Sequence, residues 1–137
     1  MASTKRDRLR SVPLFAGLRG DELADLERLT DEIDVPAGTV LTRQGGSGQE
    51  FFVIIEGGAR VERDGRHVAT LGPGDFLGEM ALLIEKPRNA TVTVKAPSRL
   101  LVIGHQDFHA LLDNREIRLR VLEAVVQRIR EVQPEAE

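Results

Sequence analysis

The sequence of 137 residues contains no cysteine, which excludes disulfide bonds, thiolate metal sites and a cysteine nucleophile. It also lacks tryptophan and tyrosine, the side chains most used for stacking single-stranded bases. No apolar run is long enough for a signal peptide or a membrane span. These absences favour a protein of the reducing cytoplasm that makes no contact with a membrane.

Positive charge is not in excess either. The chain carries 19 Lys and Arg against 22 Asp and Glu, a formal net charge of −3. Proteins that bind nucleic acid usually show a basic excess or a basic face, so we expect no direct contact with nucleic acid. A chain of this length can bury one core without disulfides or metals, and we expect a single domain over residues 1–137.

The N-terminal part has a helical pattern that later gives way to a strand pattern. Leucines at helical spacing over Arg19–Thr30 predict a short amphipathic helix. From about residue 32 to 104, short strand-like runs alternate with glycine-bearing turns. Asp64-Gly65 is typical of a tight hairpin turn, whereas Pro97 should limit ladder pairing. The predicted strand runs are Thr39–Arg43, Phe51–Ile55, Ala59–Arg63, His67–Leu71, Thr91–Val94 and Arg99–Ile103. We expect a mainly β fold with flanking helices, built on an eight-stranded jelly-roll barrel.

Residues 105–132 return to a helical period. Phe108 lies on one short helix, and Asn114 is a plausible start for another. That last helix is apolar over a wide arc formed by Ile117, Val121, Leu122, Val125, Val126 and Ile129. Its apolar surface predicts packing on the barrel wall, a movable lid, or pairing with a second subunit or an effector, and the sequence leaves these open.

Residues 72–92 differ in character from the runs around them, because glycines, a glutamate and a Pro-Arg pair surround a short apolar piece. A helical turn at Met80–Leu83 should direct its free backbone N–H groups toward Gly78 and Glu79, which gives positive potential for an anion. Arg88 adds a planar cation that can hold two phosphate oxygens. The sequence therefore predicts an anion-binding site.

The acidic side chain at this site constrains the ligand further. Glu79 would repel a bare phosphate, so we expect a ligand that also carries hydroxyl donors for the carboxylate. A ribose beside a phosphate satisfies both requirements. Gly78 would let the backbone approach such a ligand closely, because glycine has no Cβ.

The run Gly78-Glu-Met-Ala-Leu-Leu83, followed by Pro87-Arg-Asn-Ala-Thr91, resembles the phosphate-binding cassette of cyclic-nucleotide-binding domains. Such domains occur in the catabolite activator protein and in protein kinase A regulatory subunits. The spacing of nine positions from Glu79 to Arg88 also matches, and the resemblance extends over most of the chain. It implies a regulatory module that binds cAMP or cGMP, needs no metal and performs no chemistry on its ligand.

The resemblance also implies roles for single positions. Arg88 would pair with the exocyclic oxygens of the cyclic phosphate, and Glu79 would accept a hydrogen bond from the ribose 2′-hydroxyl. Gly78, Ala81 and Asn89 would offer backbone groups. The other candidate binding residues are cassette neighbours and an apolar wall, namely Met80, Ala90, Val61, Leu71 and Leu77. The C-terminal helix would close over the base through a residue between Val121 and Ile129.

Asn89 leaves the choice of nucleotide open. In relatives, a hydroxyl at this position favours guanine, whereas an asparagine side chain can both donate and accept. We expect cAMP rather than cGMP, since cAMP is the commoner ligand of bacterial members.

Three other interpretations deserve a test. Glu79 and Arg88 could form a structural ion pair in a barrel that binds no ligand. The barrel could equally be a scaffold whose last helix mediates self-association. His67, His105 and His109 invite comparison with metal-binding cupins, but their positions favour surface histidines over a metal site. The sequence has no Walker loop and no nucleophile elbow, so we do not expect an enzyme.

Overall fold

The computed structural model describes residues 4–79, 83 and 87–132, with side chains as far as Arg130. A mainly antiparallel sheet of six strands lies between helices at the two ends of the described chain. The helices are α1 (Lys5–Arg10), a 3₁₀ turn (Pro13–Phe15), α2 (Gly20–Leu29), α3 (His105–Leu111) and α4 (Arg115–Val132). The strands are β1 (Asp31–Val35), β2 (Val40–Thr42), β3 (Glu50–Arg63), β4 (Arg66–Leu71), β5 (Phe76–Leu77) and β6 (Thr91–Gly104).

Helix α1 precedes the predicted helix and was not expected from the sequence. The Thr4 hydroxyl accepts from the backbone N–H of Asp7, and the Asp7 carboxylate accepts from the N–H of Thr4, which together cap the first turn. The Lys5 ammonium donates to the carbonyls of Glu27 (2.9 Å) and Thr30 (2.5 Å) at the end of α2. The sequence of α1 has little apolar periodicity. The helix is stabilised instead by its N-terminal cap and by the contact of Lys5 with α2.

Helix α2 confirms the amphipathic helix predicted for Arg19–Thr30. Leu23 and Leu26 are buried on one face. The carboxylate of Glu22 accepts from the backbone N–H of Arg19 at 2.8 Å, so an acidic side chain stabilises the positive end of the helix.

The sheet is built around the two longest strands, β3 and β6, which pair antiparallel along most of their length. Strand β1 pairs with β6 on its other side, and β4 pairs with β3. The short strand β2 pairs with β6, and the short strand β5 pairs with β3.

The structure has six strands in its described part, where eight were expected. Two predicted pairs each continue as one strand: Phe51–Ile55 with Ala59–Arg63 in β3, and Thr91–Val94 with Arg99–Ile103 in β6. Pro97 does not interrupt β6, because it faces the stretch where β3 and β6 lose regular register. Closure into a jelly roll stays a prediction.

That irregular stretch contains a sharp bend at Gly57, which has φ of +94°. A Cβ at this position would overlap the side chain of Ser98 on β6. Ser98 is buried, and its hydroxyl accepts from the N–H of Gly58 (3.1 Å) and donates to the carbonyl of Ala96 (2.7 Å). The serine satisfies backbone groups that the bend removes from the ladder.

The predicted hairpin between Ala59 and Leu71 is confirmed. Asp64 and Gly65 both adopt positive φ (54° and 77°), and Ala59 pairs with Leu71 at the open end. Two central residues of positive φ match the twist of the flanking strands. The register pairs Val61 with Ala69, two residues before Leu71 on the same strand.

Two apolar clusters hold the fold together. The larger one packs the helices on the sheet and includes Leu9, Phe15, Leu26, Phe51, Phe108 and Val121. The smaller one is formed by side chains of the strands alone, including Phe52, Ile54, Leu77, Val92 and Leu100, with Val61 and Leu71 against it. The residues expected to form an apolar wall therefore belong to the smaller cluster.

The C-terminal helices form where they were expected. Phe108 and Leu111 of α3 are buried, and the Asn114 side chain caps α4 by accepting from the N–H of Ile117 at 3.1 Å. Only one side of α4 is covered: Ile117 and Val121 are buried, whereas Leu119, Leu122, Val126 and Ile129 are exposed. Among the described helices, none combines the length and the apolar character needed to cross a bilayer.

Candidate functional site

A cavity of about 440 Å³ lies among the hairpin β3–β4, the segment after β5, the segment before β6 and the C-terminal part of α4. Its wall combines aliphatic side chains with three arginines and one glutamate, and of these charged residues Arg88 and Glu79 are buried. Small-molecule sites are concave, mostly apolar and carry a few well-placed polar groups. The cavity has these properties.

Arg88 is held in the cavity wall by both its backbone and its side chain. Its N–H donates to the carbonyl of Gly46, and its carbonyl accepts from the N–H of Gly45, both at 2.8 Å. The guanidinium donates to the carbonyls of Glu50 (2.7 Å) and Gly78 (3.2 Å). The residue is only 6% exposed. Within the described residues it has no carboxylate at ion-pair distance, so its positive charge lies beside the cavity without a direct counter-ion.

Glycines make room for this guanidinium. A Cβ on Gly48 would overlap the Arg88 guanidinium, and a Cβ on Gly78 would lie 2.6 Å from the carbonyl oxygen of Glu50 and 2.8 Å from Nη1 of Arg88. Gly78 also has φ of +102°, a conformation that other residues rarely adopt. Any larger residue at either position would displace the arginine.

Glu79 is fully buried and faces the same cavity. Its Oε1 accepts from Nη1 of Arg128, a residue of α4. Its Oε2 is buried and has no hydrogen-bond partner among the residues that the structure describes. A buried carboxylate oxygen without a partner is costly, and a hydroxyl donor in the cavity would satisfy it.

Arg128 connects α4 to the cavity through three contacts. Besides Glu79, its guanidinium donates to the carbonyl of Phe76 and lies 5.2 Å from the centre of the Phe76 ring. The predicted alternative of an ion pair between Glu79 and Arg88 is therefore wrong: the partner of Glu79 is Arg128.

Burial shifts the proton affinities of both charged groups. Desolvation raises the pKa of the Glu79 carboxyl above its ordinary value, and the cations Arg128 and Arg88 act in the opposite direction. Desolvation also lowers the pKa of Arg88, while the carboxylates of Glu50 and Glu79 counteract it. Both shifts indicate that the charged groups of Glu79 and Arg88 are poorly hydrated.

The structure brings most of the predicted site residues to this one cavity. Those that line it are Val61, Leu71, Leu77, Gly78, Glu79, Arg88, Asn89 and Ala90. Met80 and Ala81, together with most of the helical turn predicted at Met80–Leu83, lie outside the described residues. The geometry thus brings together the eight predicted residues that the structure describes, whereas the ligand contact of each stays a prediction.

Six further lining residues were not singled out from the sequence: Thr42, Arg63, Val68, Ala69, Val92 and Arg128. Strand alternation around the hairpin could have indicated Ala69 and Arg63, since Val61 and Leu71 were already placed on the wall. Arg63 donates to the carbonyl of Asn89 at 3.0 Å and closes that edge of the cavity. No sequence signal distinguishes Arg128 from the other arginines of α4, although the stretch Val121–Ile129 was expected to supply a contact.

The histidines do not form part of this cavity. His67 lies 2.8 Å from the Thr70 hydroxyl, and the rings of His105 and His109 contact each other edge to face. No group of three or more potential metal ligands occurs among the residues that the structure describes. The placement of the histidines gives no support to a cupin-like metal site.

The fold and the cavity together define a domain built on an antiparallel sheet, in which a buried cation and a buried carboxylate line one cavity. The family model described as the cyclic nucleotide-binding domain matches residues 32–115, more than half of the chain. The chain belongs to the cyclic nucleotide-binding domain family, which confirms the resemblance seen in the cassette.

Curated relatives include cyclic nucleotide-gated channels, cAMP-dependent protein kinase regulatory subunits and a cGMP-dependent protein kinase of Drosophila melanogaster. A cyclic nucleotide-gated potassium channel of Rhizobium etli is 40% identical over 101 residues, and a cAMP-dependent protein kinase regulatory subunit of Yarrowia lipolytica is 37% identical over 107 residues. These matches cover 74% and 76% of this chain and 28% of each relative. The chain therefore spans about a quarter of the length of the curated relatives it matches.

Solved structures show the same fold. A cAMP-bound PfPKA-R matches with a TM-score of 0.84 and 26% identity over 96% of this chain and 46% of that chain. The Thermus thermophilus catabolite activator protein matches with a TM-score of 0.78 and 30% identity over 90% of this chain and 61% of that chain.

Proposed function

We propose that this chain is a sensor module that binds a cyclic nucleotide, cAMP in preference to cGMP, in the cavity between Glu79 and Arg88. Arg88 neutralises the exocyclic oxygens of the cyclic phosphate, and Glu79 accepts from the ribose 2′-hydroxyl. The proposal includes a cytoplasmic location, since a chain without cysteine needs no oxidising compartment. It also includes the absence of any catalytic step, because the roles proposed for the cavity residues are binding roles only.

One observation carries the proposal. Two buried and oppositely charged side chains line one cavity without pairing with each other: Arg88 has only carbonyl partners among the described residues, and Glu79 keeps one unbonded oxygen there. A ligand that is anionic at one end and carries a hydroxyl at the other satisfies both groups. A cyclic nucleotide joins those two groups within one ring system.

The rest of the cavity fits the rest of such a ligand. Val61, Leu71 and Leu77 supply an apolar wall for the base, and the backbones of Gly78 and Asn89 supply polar groups near the phosphate. Relatives that are named for cAMP support cAMP as the ligand. The C-terminal helix α4, which already reaches the cavity through Arg128, closes over the bound nucleotide.

Isothermal titration calorimetry with cAMP and cGMP tests the proposal. We expect the wild-type protein to bind, and Arg88→Ala to lose on the order of 2 to 5 kcal/mol of binding free energy, as when one partner of a buried charge pair is removed. Arg60→Ala is the matched control, since Arg60 lies on the same strand as Val61 but is exposed and paired with Glu62. Absence of heat with both nucleotides on the wild-type protein contradicts the proposed function.

A second function is favoured by the exposed apolar residues of α4. Leu119, Leu122, Val126 and Ile129 are 38% to 50% exposed and follow one another at intervals of three and four residues. This surface suits self-association or contact with an effector. Light scattering with and without cAMP separates the two functions, because a constitutive dimer that does not respond to cAMP favours the interaction module.

A further inference from the structure

Three arginines lie near one another at the turn of the hairpin β3–β4 and in the loop between β2 and β3. Arg43 and Arg66 are exposed, and Arg63 is half-buried and lines the cavity. Among the described residues, the side chains of Arg43 and Arg66 have no polar partner, and the side chain of Arg63 donates only to the carbonyl of Asn89. These three arginines, which we call the arginine rim, therefore carry positive charge without a bonded carboxylate in the described structure.

Several other arginines on the described surface do have carboxylate partners. Arg60, on the same strand as Arg63, pairs with Glu62, and Arg28 pairs with Asp25 at 2.6 Å. The whole chain is acidic, with a formal net charge of −3. A group of unpaired arginines at one end of the sheet is a local departure from this pattern.

Hydrogen bonds bring the arginine rim together. The side-chain amide of Gln44, next to Arg43, donates to Oδ1 of Asp64 and accepts from the N–H of Asp64, both at 2.8 Å. The carboxylate of Asp64 is bonded to this amide and to neither neighbouring arginine. Arg63 and Arg66 lie directly opposite each other in the strand register. Like charges at opposite positions destabilise a sheet, so the stability of the fold does not account for this arrangement.

The arginine rim is connected to the cavity and to its buried cation. Arg63 lines the cavity, and its Nε donates to the carbonyl of Asn89, the residue after Arg88. The loop before β3 is joined to the same place, because the backbone of Arg88 is hydrogen-bonded to Gly45 and Gly46. Arg63 is half-buried, whereas Arg88 is 6% exposed. Positive charge thus extends from the surface to the buried guanidinium.

We propose that the arginine rim is an electrostatic capture site for the anionic nucleotide: its charge attracts the ligand toward the cavity, where Arg88 binds the phosphate. The inference rests on the proposed function and gives the hairpin turn a role in the rate of binding. Charge of one sign beside a cleft raises the local concentration of a ligand of the opposite sign, and with it the association rate.

The arginine rim and Arg88 should affect different rate constants. Charges that stay in contact with water change the association rate and its dependence on salt, whereas a buried charge changes mainly the dissociation rate. In water, one unit charge at about 8 Å from another alters a rate by about twofold. Removal of three such charges should therefore slow association by about five- to tenfold when salt is low.

Stopped-flow fluorescence with a cAMP analogue labelled at C8 measures this effect. The triple variant Arg43→Gln, Arg63→Gln, Arg66→Gln should associate about five- to tenfold more slowly than the wild type at about 20 mM NaCl. The difference should disappear toward about 1 M NaCl, where the Debye length is about 3 Å. Arg66→Gln alone, which removes no polar side-chain contact with a described residue, should slow association about twofold.

A lysine triple variant separates charge from hydrogen bonding. Arg43→Lys, Arg63→Lys, Arg66→Lys keeps the three positive charges but loses the guanidinium groups, including the Nε that binds Asn89. It should associate at the wild-type rate. If it is as slow as the glutamine triple variant, the contacts of the guanidinium groups matter rather than their charge, and the capture role is wrong.

The matched control is Arg10→Gln, Arg28→Gln, Arg115→Gln, which makes the same change in net charge at exposed positions of three helices that do not line the cavity. It should keep the wild-type association rate. An equal decrease in this control, or a decrease in the rim variant that is the same at every salt concentration, overturns the capture role while the proposed function stands. If the wild-type protein binds neither the analogue nor unlabelled cAMP, the proposed function itself fails.

Discussion

Arg88 and Glu79 have opposite charges, face one cavity and yet bind different partners. Arg88 donates to two backbone carbonyls, and Glu79 pairs with Arg128. Removing a guanidinium and a carboxylate from water is costly unless their hydrogen bonds are replaced. Carbonyl oxygens replace part of the hydration of Arg88 but do not neutralise its charge. An anion in the cavity would do so, which is why these residues favour a binding site over a structural ion pair.

Replacement of Glu79 by glutamine predicts a distinct dependence of stability on pH. Burial raises the pKa of Glu79 in the folded protein above the value of about 4.5 expected in the unfolded chain. Between these two values the folded state binds more protons than the unfolded state, so the contribution of Glu79 to stability falls as pH rises. That contribution is fully present below about pH 4.5 and is lost as pH passes the folded pKa.

Urea unfolding of wild type and Glu79→Gln across a pH series measures this effect. The free energy of unfolding of the wild type, relative to the variant, should decrease from about pH 4.5 upward and then level off. Other carboxylates contribute equally to both proteins and cancel in the difference. A difference that increases with pH would mean that the cations around Glu79 outweigh its burial.

At the scale of elements, α4 shows why a helix that is apolar over a wide arc need not be buried over that arc. Its first two turns pack on the 3₁₀ turn and contribute Ile117 and Val121 to the larger apolar cluster, whereas Arg128 of a later turn lines the cavity. The same type of side chain is therefore buried at Ile117, at 1% exposure, and partly open at Ile129, at 38%.

These two isoleucines provide a matched pair of substitutions. Ile117→Ala should destabilise the protein by about 2 to 5 kcal/mol, because it removes buried methyl groups and leaves a cavity. Ile129→Ala should change stability by no more than about 0.5 kcal/mol. Chemical denaturation of both variants measures the difference. Equal losses would show that the later turns of α4 are covered in solution, as in a dimer, and repetition at low protein concentration would identify that case.

The strands show how far local sequence patterns can predict a fold. The hairpin at Asp64-Gly65 was predictable, because a two-residue turn needs positive φ and both residues adopt it readily. The continuity of β3 through Gly57 could not be predicted from the sequence, because two glycines in succession are typical of a turn. The bend is stabilised by Ser98, which is 41 residues away along the chain. A contact of this kind leaves no local signal.

At the scale of the whole molecule, the cassette was predictable because its functional residues lie within one short segment. Glu79 and Arg88 are nine positions apart, and their types and spacing indicate the site directly. Arg128 joins the same site from the other end of the chain, through a fold that the local pattern does not encode. The sequence therefore predicted that Glu79 and Arg88 share one site, but not that Arg128 connects this site to α4.

The cavity lies between the strands and α4, so a ligand there should stabilise the molecule as a whole and not only one element. A ligand that binds only the folded state adds about 2.7 kcal/mol at a concentration of one hundred times its dissociation constant. For a chain of this size, that corresponds to an increase in Tm on the order of 10 °C. Thermal denaturation with cAMP should show this increase for the wild type. With the same cAMP concentration, Arg88→Ala should show a much smaller one, since the cyclic phosphate has lost its cation. An equal increase for both proteins would place the bound nucleotide away from Arg88 and would contradict the proposed site.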